Sequence, residues 1–528
     1  MVNNKDNENR IIGRCVGENK LGNFEFISKQ MPKLGEYITL NYDNRTVLGV
    51  IDSMVRGSVS LNADIYDPKT VEKIREIEGD DFYIKATVRI LGDINDKLKI
   101  PRTPPIPGTP VFAASEDILK KIFASEKSLK IGNLLSMENV EVNIDINKMV
   151  SRHLAILAMT GAGKSNTVSV IIDGILKNNG AILVFDMHGE YIHTEFLNGE
   201  VNLIKPVINP LYMSYYEIKA LANIPSSAYI QERFFRESYN EAIKLTKEGK
   251  INSRDFLDAI SAILNQWYNA DDDSNPNEKF RGQNLKTAEK TKIIDVLNKV
   301  EDLKSKYSSL LDTNAGNIIS KIELAKANVV DLSVADERSA DVIVSHVLRN
   351  TLQNRKDFIH KKPEGFYNKH LKFPLFTIIE EAHILAPNSR NTNSKLWISR
   401  IAREGRKFGL GLCLVSQSPK NLDSDALSQV NNMILLRLVE PSDQRHVQSA
   451  SENLSEDFLS QLPSLNVGEA IVLGMMVKIP TLVQIDEFKG RTVGGDLDIL
   501  NEWNKHYDDE KKEIIRQKKE YDDFLGDF

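Results

Sequence analysis

The chain has 528 residues, 41% hydrophobic and 27% charged, with 29 glycines and 18 prolines; this fits two or three globular domains and excludes a fibrous or disordered protein. A net charge of −6 excludes a global basic field, though not a locally basic channel. The two cysteines, Cys15 and Cys413, lie far apart in apolar stretches and read as small core residues of a reducing compartment. No apolar run approaches the roughly 18 residues that span a bilayer, and the start MVNNKDNENR is polar, so no signal peptide and a cytoplasmic location are expected.

From Arg10 to Val111, short apolar runs alternate with turn residues: IIGRCVG, NFEFIS, GEYITL, TVLGVI and YIKATVRIL. Closely spaced strands of this length predict a small β-barrel. PRTPPIPGTPVF, from Pro101 to Phe112, reads as a stiff connector leaving it.

After Ser151 strands alternate with helices. HLAILA, AILVFD, ANVVDLS, FPLFTIIEE and LGLCLVSQ are apolar runs ending in polar residues, as parallel strands buried on both faces would be, with functional groups at their carboxyl ends. Between Tyr215 and Ile319 this strand pattern stops. Phe256, Ile260, Ile263, Leu264 and Trp267 fall at helical spacing, as do Ile293, Leu297 and Val300, so a helical insertion is expected, with Asp271–Glu278 as a polar loop inside it. The final DDEKKEIIRQKKEYDD predicts a charged helix, either a surface tail or an arm on a neighbour.

The chemistry centres on HLAILAMTGAGKSNTVSVIIDGIL, a buried strand, a glycine-rich loop and an apolar-periodic helix. Gly161, Ala162 and Gly163 let backbone N–H groups turn onto phosphate oxygens. Lys164 can reach the β- and γ-phosphates, and Ser165 can ligate Mg²⁺, with Asn166 following. Ala158 stands where this motif usually begins with glycine. A second element, FTIIEEAH, ends a strand in Glu380 and Glu381, whose carboxylates alternate faces and so can hold different jobs. Glu381 is assigned to the attacking water and Glu380 to the metal shell. In ILVFDMHGEY, Asp186 sits where a carboxylate reaches either Mg²⁺ or that water. His188 and His383 read as hydrogen-bonded partners before they read as zinc ligands. Finally, SRIAREGRKFGLGLCLVSQSP puts Arg400, Arg403, Arg406 and Lys407 on a helix before a strand ending in Gln417. Phosphoryl transfer uses added positive charge, which a ring supplies across a subunit boundary; the bland reading is a basic surface helix with ordinary ion pairs.

Together MTGAGKSN, DMHGEY, the IIEEAH strand, REGRKFG, the VSQ strand and the barrel, with its GEYITL and PPIPGTPV segments, resemble the HerA family of hexameric DNA-translocating ATPases, relatives of the FtsK motors. The resemblance runs from about Ile11 to Trp503. It implies an α/β fold: a RecA-like P-loop NTPase core with an N-terminal small β-barrel and a helical insertion. The expected organisation is a HAS-barrel-like domain at 1–112, the core at 113–214 and 320–485, the insertion at 215–319, and a C-terminal arm and charged tail at 486–528. It implies ATP and Mg²⁺ as cofactors, Lys164 and Ser165 in nucleotide binding, and Asp186 and Glu381 in magnesium and water handling. It further implies Arg406 as a finger on the neighbouring subunit's ATP, Gln417 as a γ-phosphate sensor and Arg152 as a second trans arginine.

In that family the barrel docks an effector: the nuclease NurA in archaeal DNA end resection, or nuclease and sirtuin-like effectors in bacterial anti-phage defence. The residues do not separate the two settings. The expected function is an ATP-driven, ring-shaped double-stranded DNA translocase or helicase, a homo-oligomer and by resemblance a hexamer. The alternative is an ATP-binding ring scaffold that activates an effector without translocating. A conjugation-type coupling ATPase usually carries a transmembrane anchor, and a protein-unfolding ring fits the arginine and Gln417 placement less well. DNA would be touched by loops following the carboxylate and sensor strands, Pro387–Trp397 and Ser418–Ser424, where Arg390, Lys395 and Lys420 are the available cations for phosphate contact.

Overall fold

The computed structural model describes residues 11–516 except 62–63, 80–81, 125–126, 270–286, 366, 368, 452–453, 493–498, 501–502, 508–509 and 513. The polar loop expected at Asp271–Glu278 and the end of the charged tail lie outside the described residues.

Six strands form the barrel: β1 (Ile11–Val16), β2 (Asn23–Ser28), β3 (Tyr37–Tyr42), β4 (Arg45–Gly57), β5 (Tyr83–Asp93) and β6 (Pro110–Ala113), with α1 (Pro68–Glu78) between β4 and β5. They close in the order β1-β2-β5-β4-β3-β6. In β5 every second side chain is buried, and Ala86, Val88 and Ile90 fill the barrel beside Phe24, Phe26 and Leu40. The proline-rich connector differs from its reading. Its end is the closing strand, with Val111 pairing both Gly13 and Leu40. Closure removes the two exposed edges that β1 and β3 would otherwise present.

One side of the barrel merges with the rest of the chain. Tyr37, Leu48 and Val50 pack into the same core as Phe123 and Leu129, and the Tyr37 hydroxyl donates to Thr481 Oγ1 at 2.8 Å. Arg89 lies over the Phe458 ring, 5.0 Å from its centroid.

After α2 (Glu116–Phe123), the hairpin β7 (Ser128–Leu134) and β8 (Met137–Asp145) and α3 (Ile146–Arg152) comes β9 (Leu154–Leu157), then α4 (Lys164–Leu176), β10 (Ile182–Asp186) and β11 (Glu200–Ile204). Four helices follow: α5 (Tyr215–Leu221), α6 (Tyr229–Lys247), α7 (Phe256–Asn269) and α8 (Thr287–Lys306). Phe256, Ile260, Leu264 and Trp267 of α7 and Ile293 and Val300 of α8 are buried, as the helical spacing requires. The chain then returns through β12 (Lys326–Asp331), α9 (Glu337–Ile359), β13 (Leu375–Ile379), α10 (Ala382–Leu385), α11 (Asn393–Glu404), β14 (Leu410–Ser416), α12 (Ser424–Ser428), β15 (Asn432–Leu435), α13 (Pro441–Ala450), α14 (Glu456–Gln461), β16 (Glu469–Leu473) and β17 (Thr481–Ile485).

These strands form one sheet in the order β11-β12-β10-β13-β14-β9-β15-β16-β17-β7-β8. The run from β11 to β15 is parallel, and the remainder is antiparallel. Alternation explains the apolar runs. Leu183 and Phe185 of β10 enter the core shared with α7 and α9, while Ile182 and Val184 enter the opposite one with α4. Strands buried on both faces carry few polar side chains before they end, Asn328 of β12 and Thr377 of β13 being buried exceptions, so most polar groups gather at one edge. No helix among the described residues is long and apolar enough to cross a membrane.

Candidate nucleotide site

Parallel β9, β13 and β14 lie side by side and end together, which brings the glycine-rich loop, the two glutamates and Gln417 to one place. Gly161 and Gly163 have φ of 77° and 100°, a region that favours glycine, and α4 starts at Lys164. A loop of this shape in front of a helix N-terminus points successive N–H groups outward and fits the phosphates of ATP. The Ser165 hydroxyl, at the first turn of α4, is placed to join a Mg²⁺ shell, and no described side chain or backbone group hydrogen-bonds it.

Lys164 Nζ lies 2.6 Å from Glu381 Oε1 and 3.1 Å from Glu380 Oε2, with all three side chains nearly buried. Burial alone would lower the lysine's pKa; the two carboxylates outweigh it and raise it. The glutamates are pushed in opposite directions. Burial raises Glu380, whereas burial of Glu381 is outweighed by the Lys164 hydrogen bond and charge, which lower it. Adjacent carboxylates with diverging proton affinities suit different tasks.

Glu380 Oε1 accepts from the Tyr191 hydroxyl at 2.8 Å, so both of its oxygens already have partners. Gln417 Nε2 donates to Glu381 Oε1 at 2.7 Å, and Gln417 Oε1 accepts from Thr160 Oγ1 at 2.6 Å. His383 Nδ1 stands 3.3 Å from the other Glu381 oxygen and His188 Nε2 3.7 Å from Oε1. Glu381 itself has φ 45° and ψ 46°, a left-handed conformation uncommon outside glycine and the kind of local strain that gathers at functional sites.

Asp186 lies in the same region but spends its oxygens differently. Oδ1 accepts from the N–H groups of His188, Gly189 and Glu190, and Oδ2 from that of Tyr191, so the carboxylate shapes the loop that delivers Tyr191 to Glu380. Asn166 turns away from the phosphate loop: its amide donates to the Asp486 carbonyl at 2.9 Å and accepts from the Phe488 N–H at 2.8 Å, strapping the C-terminal segment to α4. The sequence reading gave no role to Thr160 or Tyr191. Both lie inside the quoted motifs, and only the distances single them out.

The trans candidates are elsewhere. Arg152 ends α3, just before β9, and Arg406 lies just before β14. They therefore sit at the amino ends of β9 and β14, whose carboxyl ends carry the phosphate loop and Gln417 respectively. The seven residues of β14 extend about 20 Å, beyond the reach of an arginine side chain to its own chain's site. The expected helix through Lys407 is two elements: α11 stops at Glu404, and Arg406 and Lys407 are exposed on a 3-10 turn, Gly405–Phe408.

The DNA-contact candidates each have an acidic partner: Arg390 with Glu337 at 2.8 Å, Lys395 with Asp423 at 2.6 Å and Lys420 with Glu440 at 2.6 Å. Lys395 is not on a loop but in the first turn of α11, and its ammonium also donates to the Pro387 carbonyl. The two loops are joined to each other by the Asn388 N–H to Asn421 carbonyl and Asp423 N–H to Ala386 carbonyl bonds. Among the described residues no cluster of three or more His, Cys, Asp or Glu has the arrangement of a metal site; His188 and His383 lie beside Glu381.

Two family models match the chain: the central domain of helicase HerA over residues 129–351 and the HAS barrel domain over residues 12–96. A probable helicase of Methanocaldococcus jannaschii is 41% identical over 94% of this chain and 95% of its own. The DNA double-strand break repair helicase HerA of Saccharolobus solfataricus is 41% identical over 95% of this chain and 97% of its own. Among solved structures, VirB4 of Thermoanaerobacter pseudethanolicus aligns over 69% of this chain and 98% of its own at 15% identity, with a TM-score of 0.47.

Proposed function

The chain belongs to the HerA helicase family, and we propose that it is an ATP-hydrolysing motor that assembles as a ring, by family a hexamer, and moves along double-stranded DNA. The observation that carries this reading is the convergence of Lys164, Glu380, Glu381, Gln417 and Thr160 within hydrogen-bond distance at the ends of three neighbouring strands.

The phosphate loop binds ATP, with Lys164 leaving the carboxylates for the β- and γ-phosphates. A Mg²⁺ bound with the nucleotide would be held by the Ser165 hydroxyl, with Asp186 and Glu380 as the nearby carboxylates, and would screen phosphate charge. Glu381, released from Lys164 but still held by Gln417, accepts the proton of the attacking water. Gln417 touches both the loop and the base, so it is placed to sense the γ-phosphate. Arg406, with Arg152 on the adjoining segment, acts on ATP held by the adjacent subunit, because the length of β14 separates Arg406 from its own chain's site.

DNA is held by phosphate contacts from the loops after β13 and β14. Exposed Arg390 and Lys420 can exchange their carboxylates for phosphates, whereas Lys395, tied to nearly buried Asp423, holds the loops together. The barrel docks a nuclease or other effector in DNA end processing or anti-phage defence. What supports this is exposed apolar surface: α1 buries none of its side chains and carries exposed Ile77, and Val55, Val59 and Tyr66 are exposed in the chain leading to it.

The pairing of all three candidate DNA cations favours a second reading, an ATP-binding ring scaffold for an effector. Measuring ATP turnover with and without linear duplex, alongside native mass, separates them. A motor hydrolyses faster on DNA as a ring; a ring indifferent to DNA is the scaffold; a monomer without turnover overturns both.

A further inference from the structure

His153 caps α3 with φ 61° and ψ 165°, and its ring is buried, 2% exposed. The Leu412 N–H donates to Nδ1 at 3.1 Å. A nitrogen that accepts carries no proton, so the proton is on Nε2, which donates to the Ala402 carbonyl at 2.9 Å. Burial, only partly offset by the Ala402 bond, pushes the imidazole down to about 4 and keeps it neutral, the form in which both bonds exist.

One ring thus joins three segments: the end of α3, the last turn of α11 and the start of β14. The His153 carbonyl is held in turn by Asn432 Nδ2 at 2.8 Å, which also bonds the Lys148 carbonyl. Helix α3 packs against β14 and against the 3-10 turn at Gly405–Phe408. Gly411 permits this approach, since a Cβ there would lie 2.5 Å from the Val150 carbonyl oxygen.

The residues carried by these segments are chemically alike. Arg152 precedes His153, and Arg403, Arg406 and Lys407 follow Ala402. None of the four has an ion-pair partner among the described residues, whereas the nearby Arg400 and Lys356 share Glu404. These cations, left without acids among the described residues, lie on two segments tied together by a buried ring, with Arg403, Arg406 and Lys407 exposed and Arg152 half-buried.

We infer that His153 is a positioning residue that holds the Arg152 and Arg406 segments as one face directed at the triphosphate bound by a second copy of this chain. The inference rests on the trans reading of Arg406 given above. His153 touches no nucleotide; it sets where the arginines stand, and a misplacement of about 1 Å at such a group can cost on the order of a hundredfold in rate.

Two isosteric substitutions split the two bonds. A glutamine amide reaches the Nε2 position, so His153→Gln can keep the bond to Ala402. An asparagine amide reaches only the Nδ1 position, so His153→Asn can keep the bond from Leu412 and loses the tie to the arginine turn. The full-length variants, with Arg406→Ala in parallel, are assayed for ATP turnover, KM for ATP and native mass. His153→Asn is expected to lower kcat by about tenfold or more with KM for ATP little changed, and His153→Gln to restore most of the rate. Wild-type kcat in His153→Asn while Arg406→Ala is inactive overturns the inference alone. So does loss of native mass or ATP binding in His153→Asn, which would make the ring a support of the fold. A fully active Arg406→Ala overturns the trans reading and this inference with it.

Discussion

Lys164 and Glu381 are in direct contact, Nζ to Oε1 at 2.6 Å, so the cation proposed to bind phosphate and the carboxylate proposed to handle water neutralise each other. The pair stores a useful ordering: a triphosphate that draws Lys164 away also frees Glu381. Lys164→Ala is expected to abolish ATP turnover and, by leaving two buried carboxylates without their cation, to cost about 3 kcal/mol of stability before either takes up a proton. Turnover and thermal melting of the purified variant check both; an active variant removes the nucleotide assignment.

Glu381→Gln should bind ATP yet hydrolyse it about a hundredfold or more slowly, because an amide cannot accept the proton of water. Glu380→Gln should weaken the Tyr191 and Lys164 contacts and hurt less. Single-turnover kinetics on the two variants decide; if Glu380→Gln is dead and Glu381→Gln active, the two roles are reversed.

Arg406→Ala should leave ATP affinity nearly intact and reduce turnover about a thousandfold. Because Arg406 precedes β14 and Lys164 follows its parallel neighbour β9, the two lie at opposite ends of adjacent strands, and mixing Arg406→Ala with Lys164→Ala subunits should restore some activity. One class of interface then contains an intact arginine and an intact phosphate loop. Absence of rescue in rings shown by native mass to be mixed means that Arg406 does not act across the interface.

The barrel offers a partner test without deletion. Truncation would remove Tyr37, Leu48 and Val50 and so expose Phe123 and Leu129, which share a core with them, so a lost activity would say nothing about docking. Ile77 is 83% exposed and Tyr66 89%. Substituting both, Ile77→Asp with Tyr66→Ala, should leave melting temperature and basal ATP turnover within experimental scatter while abolishing capture of the nuclease or effector. A double variant that still captures its partner moves the docking surface elsewhere.

Glu217 supplies a stability test remote from the nucleotide. Burial would raise its carboxyl, but the hydrogen bonds and charges of His346 and Arg349 outweigh that and hold it at about 2, below the ordinary 4.5. A carboxyl depressed by folding contributes stability above its unfolded value and loses it as pH falls toward the folded one. The contribution is on the order of 3 kcal/mol, fully present above about pH 4.5 and lost towards pH 2. Glu217→Gln should therefore flatten the acid limb of a stability profile in that window. An unchanged limb would mean that the buried cluster around Tyr367 and His346 does not titrate through Glu217.

Much of this protein was legible in its sequence because the relevant physics is local. Apolar runs in β9, β10, β13 and β14 announce strands buried on both faces, helical spacing on α7 and α8 announces their buried sides, and the phosphate loop, the glutamate pair and Gln417 each lie at the end of one contiguous run. The tertiary structure decided everything that depends on which distant backbone group a side chain meets. The proline-rich connector became β6 because its partners, β1 and β3, lie far earlier in the chain and left two open edges to fill. Asp186, read as a metal or water residue, directs its oxygens to its own loop, and Asn166 reaches 320 positions ahead to Asp486. Lys395 is committed to Asp423, and His153 to Ala402 and Leu412, 249 and 259 residues on. No periodicity encodes such pairs: a buried polar atom must find a partner, and which one it finds is fixed only when the sheet brings the segments together.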